Sequence, residues 1–209
     1  LRTPLLSILQ FANLAKRRWM EGRQSEALSM LHNLLAGKER LLRFVTNLEN
    51  MARIHVGLWP LHPKIGDLLP LVQAAVHTMQ QRFAEKKVQW QVTTPQTLPA
   101  RFDGPAVSII LHELLDNAGL YSPPRGVVEL QVIASRGTVR IVVLDSGPGI
   151  PVGEEESIFS PFVESSLTRS NAGGTGLGLP IARGLARLHG GTILATNRQD
   201  GPGTEVMLL

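Results

Sequence analysis

The amino-acid sequence predicts an α+β protein in which an antiparallel helical hairpin precedes an α/β sandwich. Over the first sixty residues, apolar side chains recur every three or four positions, as they do on one stripe of a helix. Farther along the chain, β-branched runs alternate with helical segments, which is typical of one helical layer on a mixed sheet. We therefore predict a hairpin over residues 1–58, a linker over 59–66 and a sandwich over 67–209.

Two helices account for the hairpin. The first carries the apolar stripe Leu5, Ile8, Ala12, Ala15 and Trp19, and the second carries Met30, Leu34, Gly37, Leu41, Phe44, Leu48 and Met51. Gly22 breaks the pattern between them, and Ser25 is predicted to cap the second helix. One hairpin covers only part of its apolar surface, so a second copy can complete a four-helix bundle. The alternative, a hairpin packed on its own chain, stays open.

The period changes after the predicted linker, which is rich in proline and glycine. Helices are expected at 67–84, 104–120 and 180–189, and strands near 88–92, 127–134, 138–144, 192–196 and 204–208. Residues 95–99 read as a loop. Arg136 and Gly137 separate two β-branched runs, which indicates a hairpin turn.

Composition limits the chemistry and the partners. The chain has 209 residues, of which 43% are hydrophobic and 18% charged, and it has no cysteine. Disulfides and a cysteine nucleophile are therefore excluded. The net charge of +4 is not gathered into one run, so no nucleic-acid partner is expected. No apolar run reaches the roughly 20 residues that span a bilayer, so this chain is not expected to contact a membrane directly.

The strongest local signal is a glycine-rich segment directly before a predicted helix. It comprises Gly173, Gly174, Thr175, Gly176, Leu177, Gly178 and Leu179, and the helix is expected to begin at Pro180. Glycines let the backbone approach a ligand closely, and the free N–H groups at a helix start favour phosphate. The spacing matches neither a Walker loop nor a dinucleotide fingerprint.

Two further patterns contain side chains whose oxygen atoms can bind a ligand or a metal ion. Asp145 ends a predicted strand and is followed by Gly147, Gly149 and Ile150, so its carboxylate can accept the exocyclic amine of an adenine. Glu113 and Asn117 lie four residues apart and share a helix face. Oxygen ligands of this kind suit a Mg²⁺ that bridges nucleotide phosphates. Each pattern alone also fits an ordinary turn or a solvated polar face.

Taken in order, the three patterns resemble the ATP-binding fold shared by histidine kinases, DNA gyrase, heat-shock chaperones and mismatch-repair ATPases, the GHKL type. The resemblance covers about residues 67–209. It implies that Asp145 binds adenine, that Asn117 holds Mg²⁺, and that residues 151–175 form a lid over the phosphates. It also implies nucleotide contacts from Gly147, Gly149, Ile150, Phe159, Phe162, Gly174, Thr175, Gly176, Leu177, Gly178, Leu179 and Thr204.

The start of the chain resembles bacterial sensor histidine kinases within that group. Leu1 to Leu5 read Leu-Arg-Thr-Pro-Leu, like the end of the family's His-Glu-Leu-Arg-Thr-Pro motif. The phospho-accepting histidine would lie two positions before Leu1, so the 209 residues alone are expected not to autophosphorylate. Thr3 matches the position that orients water for regulator dephosphorylation in this family, and it also fits a capping hydroxyl.

Two positions depart from the family pattern. Glu113 stands where asparagine is common, and in the ATPase relatives a glutamate at this place activates water, which implies slow ATP hydrolysis. Leu120 stands where a lysine or arginine usually meets phosphate. Such a charge-assisted contact stabilises by about 1.5–3 kcal/mol, so modest ATP affinity is expected unless Arg169 in the lid compensates.

The implied function is a sensor histidine kinase core, a two-component phosphotransferase. It would bind ATP with Mg²⁺ and pass the γ-phosphoryl to a histidine and then to an aspartate of a response-regulator receiver domain. The implied partners are that receiver domain and a second copy through the hairpin, and the implied location is the cytoplasm, with a membrane anchor in a longer parent allowed. Two other functions stay open: an ATP hydrolase or clamp, and a silent nucleotide-binding dimerisation module.

Overall fold

The computed structural model describes residues 2–135, 137–167 and 174–209. Side chains are described from Leu9 onward, apart from Ala36 and Arg40. The chain forms two compact units, Leu1–Asn50 and Met51–Leu209. The first unit lies within the predicted hairpin domain, whose boundary at residue 58 remains a prediction. Within the described residues, no helix is long and apolar enough to cross a membrane.

Helices α1 (Arg2–Met20) and α2 (Gln24–His55) form the predicted hairpin. Gly22 has a φ of +75°, so the break falls at the glycine that the sequence singled out. The prediction that Ser25 caps α2 is wrong, because the helix begins one residue earlier. The N–H of Ala27 donates to the carbonyl of Arg23 at 3.1 Å, which makes Arg23 the residue before the helix.

Among its described residues, the second unit forms seven strands and three α-helices, besides the end of α2. The strands are β1 (Lys64–Asp67), β2 (Gln89–Thr93), β3 (Pro99–Phe102), β4 (Val127–Ser135), β5 (Thr138–Leu144), β6 (Ile193–Asn197) and β7 (Thr204–Leu208). The helices are α3 (Leu69–Arg82), α4 (Gly104–Tyr121) and α5 (Gly178–Leu188), and a 3-10 helix covers Ser157–Phe159. The predicted α+β class, a hairpin followed by a sandwich, is confirmed.

A five-stranded mixed sheet organises the sandwich in the order β2-β4-β5-β7-β6. Strand β2 pairs with β4 in parallel, and the other neighbours are antiparallel. In β4 the buried side chains are Val128, Leu130 and Val132, an alternation that turns one face of the sheet toward the helices. Leu114, Leu115, Ile181 and Leu185 are almost completely buried on α4 and α5, so the core lies between the sheet and this helical layer.

Two short strands lie where no strand is predicted from the sequence. Strand β1 lies at the end of the predicted linker, and β3 begins at Pro99, the last residue of a predicted loop. The two pair in an antiparallel sheet of their own, Lys64 opposite Phe102 and Asp67 opposite Pro99. Four-residue strands are too short to show a period, so only their pairing reveals them.

Helix α4 is capped by residues distant in sequence as well as by its neighbours. At its start, the Asp103 carboxylate accepts from the N–H of Ala106 at 2.9 Å and from the N–H of His62 at 2.7 Å. At its end, the Lys86 ammonium donates to the carbonyls of Gly119 and Leu120 at 2.9 and 2.6 Å. Burial lowers the pKa of Lys86. Both ends of the helix are thereby fixed.

Candidate functional site

Asp145 lies at the end of β5, and its side chain is buried. Its Oδ1 atom accepts the N–H of Gly147 at 2.7 Å and the N–H of Thr204 at 3.2 Å. Its own N–H donates to the carbonyl of Thr204 at 2.9 Å. The Thr204 hydroxyl also donates to the carboxylate. Oδ2 accepts from neither of the two side-chain-bound N–H groups, so it is the oxygen that can accept from a ligand.

The surroundings of Asp145 shift the protonation equilibrium of its carboxyl group. Burial raises the pKa of this carboxyl, although the N–H groups of Gly147 and Thr204, the Thr204 hydroxyl and the positive charge of Arg198 act in the opposite direction. A buried carboxylate that keeps one oxygen for a ligand is the kind of group that recognises an amine.

The loop after Asp145 depends on its glycines for close approaches. A Cβ on Gly147 would lie 3.1 Å from the carbonyl oxygen of Tyr121, and Gly149 has a φ of +80°. Ile150, which closes the loop, is buried, and its backbone N–H and carbonyl are both bonded to the side chain of Asn197. The predicted residues Gly147, Gly149 and Ile150 therefore form one ordered loop beside Asp145.

The second glycine segment leads into α5, and its helix starts earlier than predicted. The helix begins at Gly178 and not at Pro180, which becomes the third helical residue. Proline is tolerated there because the N–H groups of the first turn have no partner within the helix. Leu177 is fully buried, so it offers a ligand its backbone and not its side chain.

Glu113 and Asn117 lie on α4 as predicted, and Glu113 faces the start of α5. A Cβ on Gly178 would lie 2.5 Å from Glu113 Oε2. The Glu113 carboxylate is therefore beside the N-terminus of α5, the place that the sequence assigned to phosphate. Asp116 points elsewhere and lies 2.9 Å from the guanidinium Nε of Arg82.

The described residues of the predicted lid touch the glycine segment through their backbone. The N–H of Phe162 donates to the carbonyl of Gly176 at 2.8 Å, while the Phe162 ring is exposed. Phe159 is buried, with the guanidinium of Arg183 on α5 lying 4.4 Å from its ring centroid. Arg183 also pairs with Glu156 at 2.7 Å. The ring of Phe159 thus packs against α5.

The remaining predicted residues differ in how much can be described. Gly174, Thr175 and Leu179 are half-buried around the start of α5, and Thr204 lies on β7 beside Asp145. The backbone of Thr3 is helical, and its side chain is outside the described part. Arg169 lies outside the described residues. For every residue named in this paragraph, the predicted role toward a nucleotide stays a prediction.

Three residues beside the site were not predicted. A Cβ on Gly174 would lie 3.3 Å from the Tyr121 hydroxyl, so Tyr121 lies between the Asp145 loop and the second glycine segment. Its spacing of four residues from Asn117 could have indicated this position. Asn197 and Arg198 contact the Asp145 loop across 47 and 53 positions of sequence. No local pattern predicts such contacts.

The side-chain oxygen atoms of the site can hold a hard cation such as Mg²⁺ only when a bound ligand supplies further oxygen atoms. Among the described residues, no group of three or more histidine, cysteine, aspartate or glutamate side chains could hold a metal ion. Glu113 and Asn117 supply oxygen donors, and Mg²⁺ in nucleotide sites takes few protein ligands besides phosphates and water. These residues thus fit a Mg²⁺ that arrives with a nucleotide.

Fold and site define a class of protein: an α/β sandwich with a buried carboxylate at a strand end and glycine segments around a helix start. Residues 102–209 match the family model described as histidine kinase-, DNA gyrase B-, and HSP90-like ATPase. The chain belongs to this family and carries the GHKL-type catalytic domain of sensor histidine kinases. The predicted resemblance is confirmed.

Curated relatives extend the similarity to the whole chain. The alginate biosynthesis sensor protein KinB of Pseudomonas aeruginosa is 30% identical over 214 residues, which cover 100% of this chain and 35% of KinB. The histidine protein kinase DivJ of Caulobacter vibrioides is 30% identical over 210 residues, covering 99% of this chain and 34% of DivJ. The chain therefore spans about a third of the length of these relatives.

Solved structures show the same fold. The Acinetobacter baumannii histidine kinase AdeS has a TM-score of 0.76 at 21% identity, covering 99% of this chain and 94% of AdeS. The nucleotide-free catalytic domain of histidine kinase ThkA has a TM-score of 0.62 at 26% identity, covering 70% of this chain and 95% of that domain. The likeness to AdeS, at 21% identity, shows the fold alone. The likeness to ThkA, at 26% identity, is to a histidine kinase catalytic domain.

Proposed function

We propose that this chain is the dimerisation and ATP-binding portion of a sensor histidine kinase. The proposal is carried by the buried carboxylate of Asp145, whose Oδ1 accepts two backbone N–H groups, and by Tyr121, which lies against both the loop after Asp145 and the glycine segment that leads into α5. Asp145 would accept the adenine amine, and the first N–H groups of α5 would bind phosphate. Asn117 and Glu113 would hold Mg²⁺, which neutralises phosphate charge when bound.

The proposed reaction moves the γ-phosphoryl of ATP to a histidine and then to an aspartate of a response regulator. A solved structure of ThkA in complex with the response regulator TrrA supports a receiver domain as the partner. The protein would contribute by positioning the nucleotide: the loop Asp145–Ile150 would hold the base, and the start of α5 would hold the phosphates. We expect the 209 residues alone to bind the nucleotide without gaining phosphohistidine.

A homodimer through the hairpin is part of the proposal. Outside the predicted stripe, which is mostly half-buried, α2 exposes a second set of apolar side chains at heptad-like spacing: Leu28, Leu31, Leu35, Leu42 and Val45. A monomeric hairpin would leave this surface in water, and a second copy would bury it.

The decisive experiment has two steps. Calorimetric titration of the chain with ATP, with and without Mg²⁺, is expected to show Mg²⁺-dependent binding. A chain extended at its N-terminus by His-Glu is then expected to acquire acid-labile, base-stable phosphate from ATP, and the extension Gln-Glu serves as the control. No nucleotide binding would exclude the kinase function, and binding without phosphohistidine in the extended chain would favour the silent module.

ATP hydrolysis is the second candidate function, and the position of Glu113 beside Gly178 favours it. A carboxylate near the phosphate end can orient or deprotonate a water molecule. We expect a Glu113→Gln variant to lose any steady phosphate release at least tenfold, measured by a coupled phosphate assay. An unchanged release rate would remove Glu113 from this role, and release without phosphohistidine would favour the hydrolase.

We also expect nucleotide binding to depend on pH through Asp145. Because burial raises its pKa, the carboxyl takes up a proton at a higher pH than an exposed aspartate, and ATP affinity should fall as pH drops through that raised pKa. The effect on folding has the opposite sign: the contribution of Asp145 to stability is present below the ordinary aspartate pKa and lost as pH rises through the raised one. Titrations at several pH values, compared with Asp145→Asn, would measure the effect, since ATP's own protonation is common to both proteins.

A further inference from the structure

The loop Asp145–Ile150 is held at its far end by a residue outside every glycine-rich segment. The side-chain Oδ1 of Asn197, the last residue of β6, accepts the N–H of Ile150 at 2.6 Å. Its Nδ2 donates to the carbonyl of the same residue at 2.8 Å. Asn197 therefore satisfies both backbone groups of Ile150, the last residue before the predicted lid.

The near end of the same loop is held by the next residue, Arg198. Its Nη1 lies 3.4 Å from the carbonyl oxygen of Asp145, at the limit of a hydrogen bond. The guanidinium is fixed by two bonds to Asp200, both 3.0 Å, and by one to Glu129 at 3.1 Å. The side chain is only 11% exposed. Such a constrained guanidinium lies firmly against the backbone of Asp145.

The glycines of the loop explain why external contacts matter. Gly147 and Gly149 permit the close approaches of the loop, but glycine also has the largest conformational freedom to lose on folding. A Cβ on Gly149 would lie 2.6 Å from Asn197 Oδ1, so the amide occupies the space that the missing side chain leaves. The end of β6 thus supplies the order that the loop sequence lacks.

We propose that Asn197 and Arg198 are positioning residues for the nucleotide base, which hold the two ends of the loop Asp145–Ile150 so that Asp145 Oδ2 meets the exocyclic amine. The inference rests on the proposed nucleotide site. Neither residue needs to touch the nucleotide. Their effect should therefore concentrate on the base and spare the phosphate end, which is bound by α5.

The test compares two ligands that differ only at the base. Mg-ATP carries the 6-amine, and Mg-ITP carries a carbonyl in its place. We expect Asn197→Ala to raise the Kd of ATP about fivefold, as expected for the loss of hydrogen bonds of ordinary strength. The Kd of ITP should change less than twofold. Thr196→Ala, an exposed neighbour on β6, is the matched control and should leave both values unchanged.

The outcomes separate this inference from the function on which it rests. Absence of ATP binding by the unaltered chain would overturn the nucleotide site itself. Tight binding by the unaltered chain, with the ATP value of Asn197→Ala unchanged or with ATP and ITP weakened equally, would overturn the positioning role alone. Arg198→Gln is the second variant, should Asn197→Ala fail to fold: a lowered ATP preference over ITP supports the inference, and an unchanged preference contradicts it.

Discussion

Replacing Asp145 by asparagine is expected to weaken Mg-ATP binding at least tenfold, about 1.4 kcal/mol, without unfolding the sandwich. The asparagine Oδ1 can still accept the N–H groups of Gly147 and Thr204, which fixes the amide orientation. The Nδ2 group then stands where Oδ2 was, and it faces the adenine amine as a second donor. The ligand amine loses its acceptor although the loop keeps its own bonds.

Calorimetry on the unaltered chain and on Asp145→Asn measures the loss of ATP affinity, and ITP serves as a second ligand for comparison. The 6-carbonyl of ITP can accept from the asparagine Nδ2, so Asp145→Asn should lose much less affinity for ITP than for ATP. Glu205→Gln removes a negative charge from β7 next to Thr204 without entering the site, and it should leave both affinities unchanged. Equal ATP affinity in Asp145→Asn and the unaltered chain would exclude Asp145 as the adenine contact.

Replacing Gly203 by alanine is expected to have the largest effect on stability. Gly203 has a φ of +125°, a conformation that L side chains rarely adopt, and a Cβ there would collide with the carbonyl oxygen of Asp145. Backbone strain and steric overlap each cost about 1–3 kcal/mol. Because the collision is with backbone, the turn before β7 must move, and with it the bonds between Thr204 and Asp145.

Urea unfolding followed by circular dichroism measures the loss of stability, and Gly190→Ala is the matched control. Gly190 has a φ of +81° but open space around its Cβ position, so its substitution costs only the backbone term, about 1–2 kcal/mol. We expect Gly203→Ala to lose clearly more than Gly190→Ala and to bind ATP more weakly. Equal losses of stability in the two variants would show that the turn at Gly203 can shift to accommodate the methyl group without added strain.

Local sequence signals determined most of the helices and strands of this protein. Periods of three to four residues predicted α1 and α2, and strands β4, β5 and β7 were predicted to within one residue. The chemical groups of the candidate site were also identified, because a carboxylate at a strand end, a glycine segment and an acid–amide pair on one helix face are all local patterns. Their roles toward a nucleotide remain predictions.

Contacts between distant residues were decided only by the tertiary structure. Strands β1 and β3 exist because they pair with each other. Lys86 caps α4 across 33 and 34 positions.

The sequence by itself determined which groups could meet a nucleotide, since a helix face or a strand end is fixed by the residues within a few positions of it. The loop Asp145–Ile150 is held by Asn197 and Arg198, which reach it only when β6 lies in place at the edge of the sheet. Hydrogen bonds across some 50 residues leave no periodic trace in a single sequence, because Asn197 and Arg198 alone are ordinary polar residues near a turn and their partners are backbone groups.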